Sequence, residues 1–194
     1  SVEYLGLSDG VTFLSDPLTE DMEITGPISS KLWVSSETND ADLFLVLRAF
    51  TPDMKEITFQ GALDPHTPLA QGWLRCSHRK LDEDLTLPYR PYHTHDEIQL
   101  LTPNETYEVE VEVWPTCIVV PKGHRIGFSI RGKDYVYPGD SGTDFGEYAS
   151  WTGCGLFKHD DPVDRPAEIF GGEVTLHAGP DQQAFIMLPV IPTG

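Results

Sequence analysis

Apolar and polar residues alternate most regularly from Thr106 to Trp114, where Tyr107, Val109, Val111 and Val113 are separated by Glu108, Glu110 and Glu112. A period of two predicts a strand with one face in a core and a ladder of carboxylates in water. Leu43 to Phe50 reads LFLVLRAF, a continuous apolar run that predicts a strand covered on both faces. Further strands are expected at Lys31–Val34, Glu56–Gln60, Gly72–Ser77, Cys117–Val120, Arg125–Arg131, Glu173–His177 and Ala184–Val190. Pro121-Lys122-Gly123-His124 is a turn between two of them. No amphipathic helix, internal repeat or linker stands out. Roughly nine or ten strands without helical crossovers imply antiparallel sheets packed as a β-sandwich or jelly roll, an all-β fold. Two segments fall outside the pattern, 81–96 and 132–170, and loops of this length are commonly functional or cover a partner.

The 194 residues suit one domain, taken as 1–194. Asp and Glu number 31 against 13 Lys and Arg, a formal charge of −18. That field repels nucleic acid and no basic stripe offsets it, so the acidity reads as a solubility device. A cationic substrate drawn into an acidic cleft is the sharper alternative. No apolar run reaches the roughly 20 residues that span a bilayer, so no membrane partner is expected. The start, Ser1-Val2-Glu3-Tyr4, lacks the regions of a signal peptide. Three widely spaced cysteines, Cys76, Cys117 and Cys154, are no disulfide framework and point to a reducing, cytoplasmic setting. The Asn104-Glu105-Thr106 sequon is discounted on the same ground.

Candidate chemistry is sparse. Gly139-Asp140-Ser141-Gly142 has the form of a protease nucleophile segment, but no earlier His and Asp stand ready to serve Ser141, and a turn is the simpler reading. No Gly-x-Ser-x-Gly elbow occurs. His93-Thr94-His95-Asp96 offers two imidazoles at i, i+2, half of a metal site, and structural histidines are favoured. Asp82-Glu83-Asp84 and His159-Asp160-Asp161 lack the spacing of a calcium loop. Neither a metal nor another cofactor is expected. Tyr89, Tyr92, Tyr135, Tyr137, Tyr148 and Trp151 lie in or beside the long loops. Of these, Tyr89, Tyr92, Tyr135, Tyr137 and Trp151 are the binding candidates, as rings that stack on sugars or mark an interface.

One ordered set of motifs resembles a known family. Gly72-Trp73-Leu74-Arg75-Cys76-Ser77-His78-Arg79-Lys80-Leu81-Asp82 is similar to the C-terminal, non-catalytic domain of X-Pro dipeptidyl-peptidases and cocaine-esterase-like hydrolases (peptidase family S15, CocE/NonD). Leu18-Thr19-Glu20-Asp21, Ile24-Thr25-Gly26-Pro27 and Lys31-Leu32-Trp33-Val34-Ser35-Ser36 precede it in the family's order. Tyr92 to Asp96, Leu101-Thr102-Pro103, Trp114-Pro115-Thr116, Pro121 to Ile126 and Leu188 to Pro192 follow. The likeness spans about residues 11 to 192. It implies a jelly roll related to galactose-binding modules, packed on an α/β-hydrolase domain that carries the Ser-His-Asp triad. No catalytic residue is carried over to this chain. Its expected function is to buttress that domain and help wall the active-site cleft, with a stand-alone carbohydrate-binding module as the alternative. Family members usually enter the domain through an added N-terminal strand, whereas only ten residues precede Val11 here. A missing first strand would leave an open edge and favour self-association.

Overall fold

A computed structural model describes residues 1–61, 64–139, 153–155 and 158–192 of the chain. The first strands are β1 (Val2–Leu5), β2 (Val11–Leu14), β3 (Met22–Ser36) and β4 (Asp42–Phe50). Next come β5 (Glu56–Ile57) and β6 (Ala70–Arg75), the latter running into a 3-10 turn at Cys76–His78. After them lie β7 (Tyr107–Val120), β8 (Arg125–Arg131), a short helix α1 (Ala167–Phe170), β9 (Glu173–His177), β10 (Phe185–Met187) and β11 (Val190–Ile191).

All pairings are antiparallel and divide into two sheets. The larger is built on β3, which pairs with β7 along one edge and successively with β11, β10 and β9 along the other; β1 extends it beyond β9. The smaller runs β2, β8, β4, with β6 and β5 sharing the far edge of β4. The fold is therefore an all-β sandwich, and the Pro121–His124 turn is one of the connections at which the chain passes from one sheet to the other.

The sequence pattern explains the layers. Val109, Val111 and Val113 of β7 and Ile24, Ile28, Leu32 and Val34 of β3 face Leu43, Leu45 and Leu47 of β4 in one core. Phe44, Val46 and Phe50 of the LFLVLRAF run are buried too, and His159 and Arg165 of segment 158–170 cover the outward ring of Phe44. Arg165 anchors that cover: its guanidinium donates to Asp42 Oδ2 at 2.7 Å and to the Gly132 carbonyl at 2.6 Å, and lies 4.8 Å from the Phe44 ring. Both members of the Arg165–Asp42 pair are buried, and removing one partner from such a pair costs about 3–5 kcal/mol.

Several expectations change, among them Ala184–Val190, which splits into β10 and β11. The strands anticipated at Thr106–Trp114 and Cys117–Val120 are a single strand, β7, running through Pro115. Proline is tolerated there because the β3–β7 register shifts between Gly26 and Ile28, a bulge that needs no amide from it. The stretch Glu56–Gln60 forms a strand only at Glu56–Ile57, with Phe59 bridging to Thr67. Val2–Leu5, outside the predicted strands, pairs with Glu173–Leu176 at a sheet edge.

Candidate functional site

The bulge also decides which way β7 points. Up to Val113 the valines face inward and the glutamates outward. At the bulge the phase slips: Trp114 and Pro115 both face outward, and Thr116 turns back in. Trp114 is 63% exposed, a large cost for an indole. Trp73 meets it from β6, where Gln71, Trp73 and Arg75 point out while Ala70, Gly72 and Leu74 point in. The two rings sit edge to face with centroids 5.3 Å apart. Gly72 makes this meeting possible, since a Cβ there would fall 2.2 Å from the Glu112 carbonyl oxygen and 2.9 Å from Val113 Cα. Only a residue without a side chain lets β6 run so close to β7.

Trp73 borders three adjoining concavities. The largest, about 790 Å³, is walled by Phe59, Pro68, Leu69, Trp114, Cys117 and Cys154 among others. Asp64 closes its far end by accepting hydrogen bonds from the Gly153 and Gly155 amides at 2.9 and 3.1 Å. The second, about 420 Å³, is lined by Glu112, Arg75 and three histidines, and the third, about 200 Å³, by the Asp42–Arg75–Asp164–Arg165 network.

The three histidines come from two places. His78 ends the 3-10 turn after β6, and His93 and His95 sit on the returning loop, which is tied back by a Thr94 amide bond to the Lys80 carbonyl at 3.1 Å. His95 has φ +52, a left-handed conformation that costs a residue other than glycine about 1–2 kcal/mol. With it, the His95 Nδ1 stands 3.2 Å from the His78 Nδ1. His93 is half-buried, its Nε2 shut from solvent and without a hydrogen-bond partner among the described residues. Burial pushes its imidazole below the usual range, against a hydrogen bond to the Glu110 carbonyl that raises it.

On the other side of Trp73, His159 lies 5.9 Å from its ring and donates from the backbone to Asp134 Oδ2 at 2.6 Å, with Nδ1 3.0 Å from Oδ1. Hydrogen bonding to Asp134 raises the His159 pKa against the effect of burial. For Asp134 burial alone would raise the carboxyl, but the His159 bonds outweigh it and hold the group low. An Asp–His pair beside a thiol invites comparison with a nucleophilic triad. Burial, reinforced by the Asp134 charge, instead pushes the Cys154 thiol up, opposite to what activates a thiolate.

The tyrosines named from sequence are dispersed. Tyr89 and Tyr92 are exposed on the loop before His93. Tyr135 is 1% exposed, its ring between the guanidinium groups of Arg48 and Arg131, so it offers no face to a ligand. Tyr137 stacks on His66 at 4.0 Å. Trp151, Tyr148 and Ser141 lie outside the described residues. Asp82 and Asp161 cap turns, accepting from the amides of Asp84, Leu85 and Val163. Among the described residues no group of three or more His, Cys, Asp or Glu side chains is set to hold a metal ion. Nor is any helix there long and apolar enough to cross a membrane. Sequence reasoning missed the Trp73–Trp114 pair, the approach of His78 to His95, and the Asp134–His159 pair. The GWLR segment at 72–75 and the WPT segment at 114–116 were the available signal for the first, and nothing local encodes the other two.

The geometry is that of a sandwich with one aromatic, recessed face. The chain belongs to the family described as the X-Pro dipeptidyl-peptidase C-terminal non-catalytic domain, whose model matches residues 5–144. Among individual proteins it is similar to the cocaine esterase of Rhodococcus sp. (strain MB1 Bresler), 26% identical over 183 residues, 94% of this chain and 26% of that one. A Mycobacterium bovis protein named as a serine esterase is 28% identical over 129 residues, 64% of this chain and 19% of that one. Of solved structures, a CocE/NonD family hydrolase from Staphylococcus aureus superposes with a TM-score of 0.82 at 22% identity, over 98% of this chain and 32% of that one. An α-amino acid ester hydrolase gives 0.61 at 17% identity over 94% and 26% of the two chains. This chain thus spans about a fifth to a quarter of the length of the curated relatives it matches.

Proposed function

We propose that this chain is the accessory domain of an S15/CocE-like serine hydrolase and that it takes no part in bond breaking. It docks on the α/β-hydrolase domain through the face centred on Trp73 and Trp114, buttresses that domain and helps wall its active-site cleft. The observation that carries the reading is the exposed Trp114 indole packed against Trp73, which itself borders three recesses. Interfaces between domains of one chain bury about 600–1,500 Å², and tryptophan is over-represented among the residues that dominate them. The family's non-catalytic description and the esterase names of the relatives agree with a scaffolding part of a hydrolase. In this reading the carboxylate-rich remainder keeps the domain soluble in the cytoplasm.

The test uses the longer protein that carries this domain. Trp73→Ala and Trp114→Ala should raise KM for p-nitrophenyl esters and lower the thermal midpoint of the catalytic part. The isolated chain carrying Trp114→Ala should melt as the unaltered chain does, because the ring is largely exposed there. Unchanged kinetics and unchanged melting of the longer protein in both variants would remove the docking assignment.

A further inference from the structure

The His78–His95 pair lines one of the recesses beside Trp73, has no role assigned in the docking reading and carries a separate inference. Two imidazole nitrogens approach to 3.2 Å, from side chains seventeen residues apart in sequence. The contact has the length of an N–H···N hydrogen bond, and it also matches two ligands on one metal ion, because Zn–N bonds of 2.0–2.1 Å at a tetrahedral angle set neighbouring nitrogens about 3.3 Å apart. If both rings carry their proton on Nε2, two Nδ1 lone pairs point into one another's space and only a cation between them makes that favourable. A second observation comes from the third imidazole. His93 lines the same concavity as His78, His95 and Glu112, its ring centroid is 6.0 Å from that of His95, and its Nε2 has no hydrogen-bond partner among the described residues. The backbone supports the arrangement: the left-handed His95 conformation turns that residue toward the 3-10 turn, and the loop is held to the turn by the Thr94–Lys80 bond.

We infer that His78 and His95 form a two-point chelate, through their Nδ1 atoms, for a divalent transition metal of the imidazole-favouring class, zinc, nickel or copper. Water completes the coordination, with Glu112 on the wall of the same recess and His93 the nearest further imidazole. Both imidazoles bind as neutral ligands, so any proton on either Nδ1 leaves to solvent as the metal enters. The consequence for the fold is a clip. The metal joins the end of β6 to the loop 81–96 next to Trp73 and raises the stability of the domain by mass action.

The experiment uses tag-free chain stripped with a chelator and dialysed. Zn²⁺ is titrated calorimetrically, Cu²⁺ binding is followed by electron paramagnetic resonance, and melting is recorded with and without Zn²⁺. The expected result is one ion per chain, nitrogen hyperfine structure on copper, and a zinc-dependent rise in melting temperature. His78→Ala and His95→Ala should each weaken binding roughly tenfold or more, the scale on which losses at metal sites fall. His124→Ala, on the distant Pro121–His124 turn, should leave it unchanged. Both site histidines are at least partly exposed, and metal-free melting curves verify that the variants fold. Stoichiometry well below one, or affinity unchanged in the His78→Ala/His95→Ala double variant, would show that the two nitrogens share only a proton and would overturn the site.

Discussion

Gly72→Ala adds one methyl group to β6, and the structure specifies what that methyl meets. The new Cβ would lie 2.2 Å from the Glu112 carbonyl oxygen, 2.9 Å from Val113 Cα and 3.0 Å from the Glu112 carbonyl carbon. All three are backbone atoms of β7, so no side chain can swing aside, and β6 must move away from β7 by about an ångström. Overpacking a well-filled interior costs about 1–3 kcal/mol, and a clash with backbone belongs at or above the top of that range. With about 2 kcal/mol per molar for the urea dependence of a domain this size, 3 kcal/mol lowers the unfolding midpoint by about 1.5 M. The same movement parts Trp73 from Trp114, now 5.3 Å apart, so near-UV circular dichroism should lose the coupling of the two indoles. Gly179→Ala is the control, because a Cβ at Gly179 meets nothing within 4 Å, and it should fall within about 0.5 kcal/mol of the unaltered chain. If Gly72→Ala unfolds at the same urea concentration as Gly179→Ala, the close approach of the two strands is not what the geometry states.

The pH dependence of the Asp134–His159 pair follows from its two shifts. His159 is raised, so its contribution is complete below the ordinary histidine value of about 6.5 and is lost as pH rises through the higher folded value; Asp134 is lowered, so its contribution is present above about 3.9 and fails only on acidification through the lower folded value. Melting recorded from pH 6 upward should therefore fall more steeply in the unaltered chain than in Asp134→Asn, and parallel curves would dismiss the pair as a stabilising element. The isolated chain should hydrolyse neither p-nitrophenyl esters nor X-Pro anilides above background, measured by release of the chromophore. Turnover abolished by Ser141→Ala would mean that the 139–142 segment is a working nucleophile after all.

Much of the sandwich was legible because its strands announce themselves locally. The LFLVLRAF run and the valine–glutamate alternation identified β4 and β7, and the Pro-Lys-Gly-His turn marked one of the crossings between sheets. Short strands escaped: Val2–Leu5 and Val11–Leu14 are too brief to show a period and exist because β9 and β8 offer them an edge. The site was less legible, and for a physical reason. Asp134 and His159 are 25 residues apart, and Trp73 and Trp114 come from different sheets. Their meeting is a property of strand pairing and of one missing side chain at Gly72. Burial of Tyr135 was equally hidden, since β4 and β8 must first pair, setting Arg48 and Arg131 four register positions apart, before a ring can lie against both.

The strand β7 holds the change from scaffold to surface within one element. Lys31, on the neighbouring β3, reaches Glu108 at 2.9 Å and Glu110 at 3.0 Å, so the first two carboxylates facing outward are spent on pairing the strands. Glu112, two residues on, faces the histidine recess instead, and one residue later the bulge breaks the alternation. From that point Trp114 and Pro115 stand outward together, which a regular strand cannot do because adjacent side chains point to opposite faces. The alternation that makes β7 easy to read thus ends where the recessed face begins. A local departure from an otherwise consistent pattern is where a functional surface is expected, because the fold gains nothing from it. Deleting Pro115 would restore the alternation with Val113 in, Trp114 out and Thr116 in, so the indole would stay on the surface and only the second outward residue beside it would be lost.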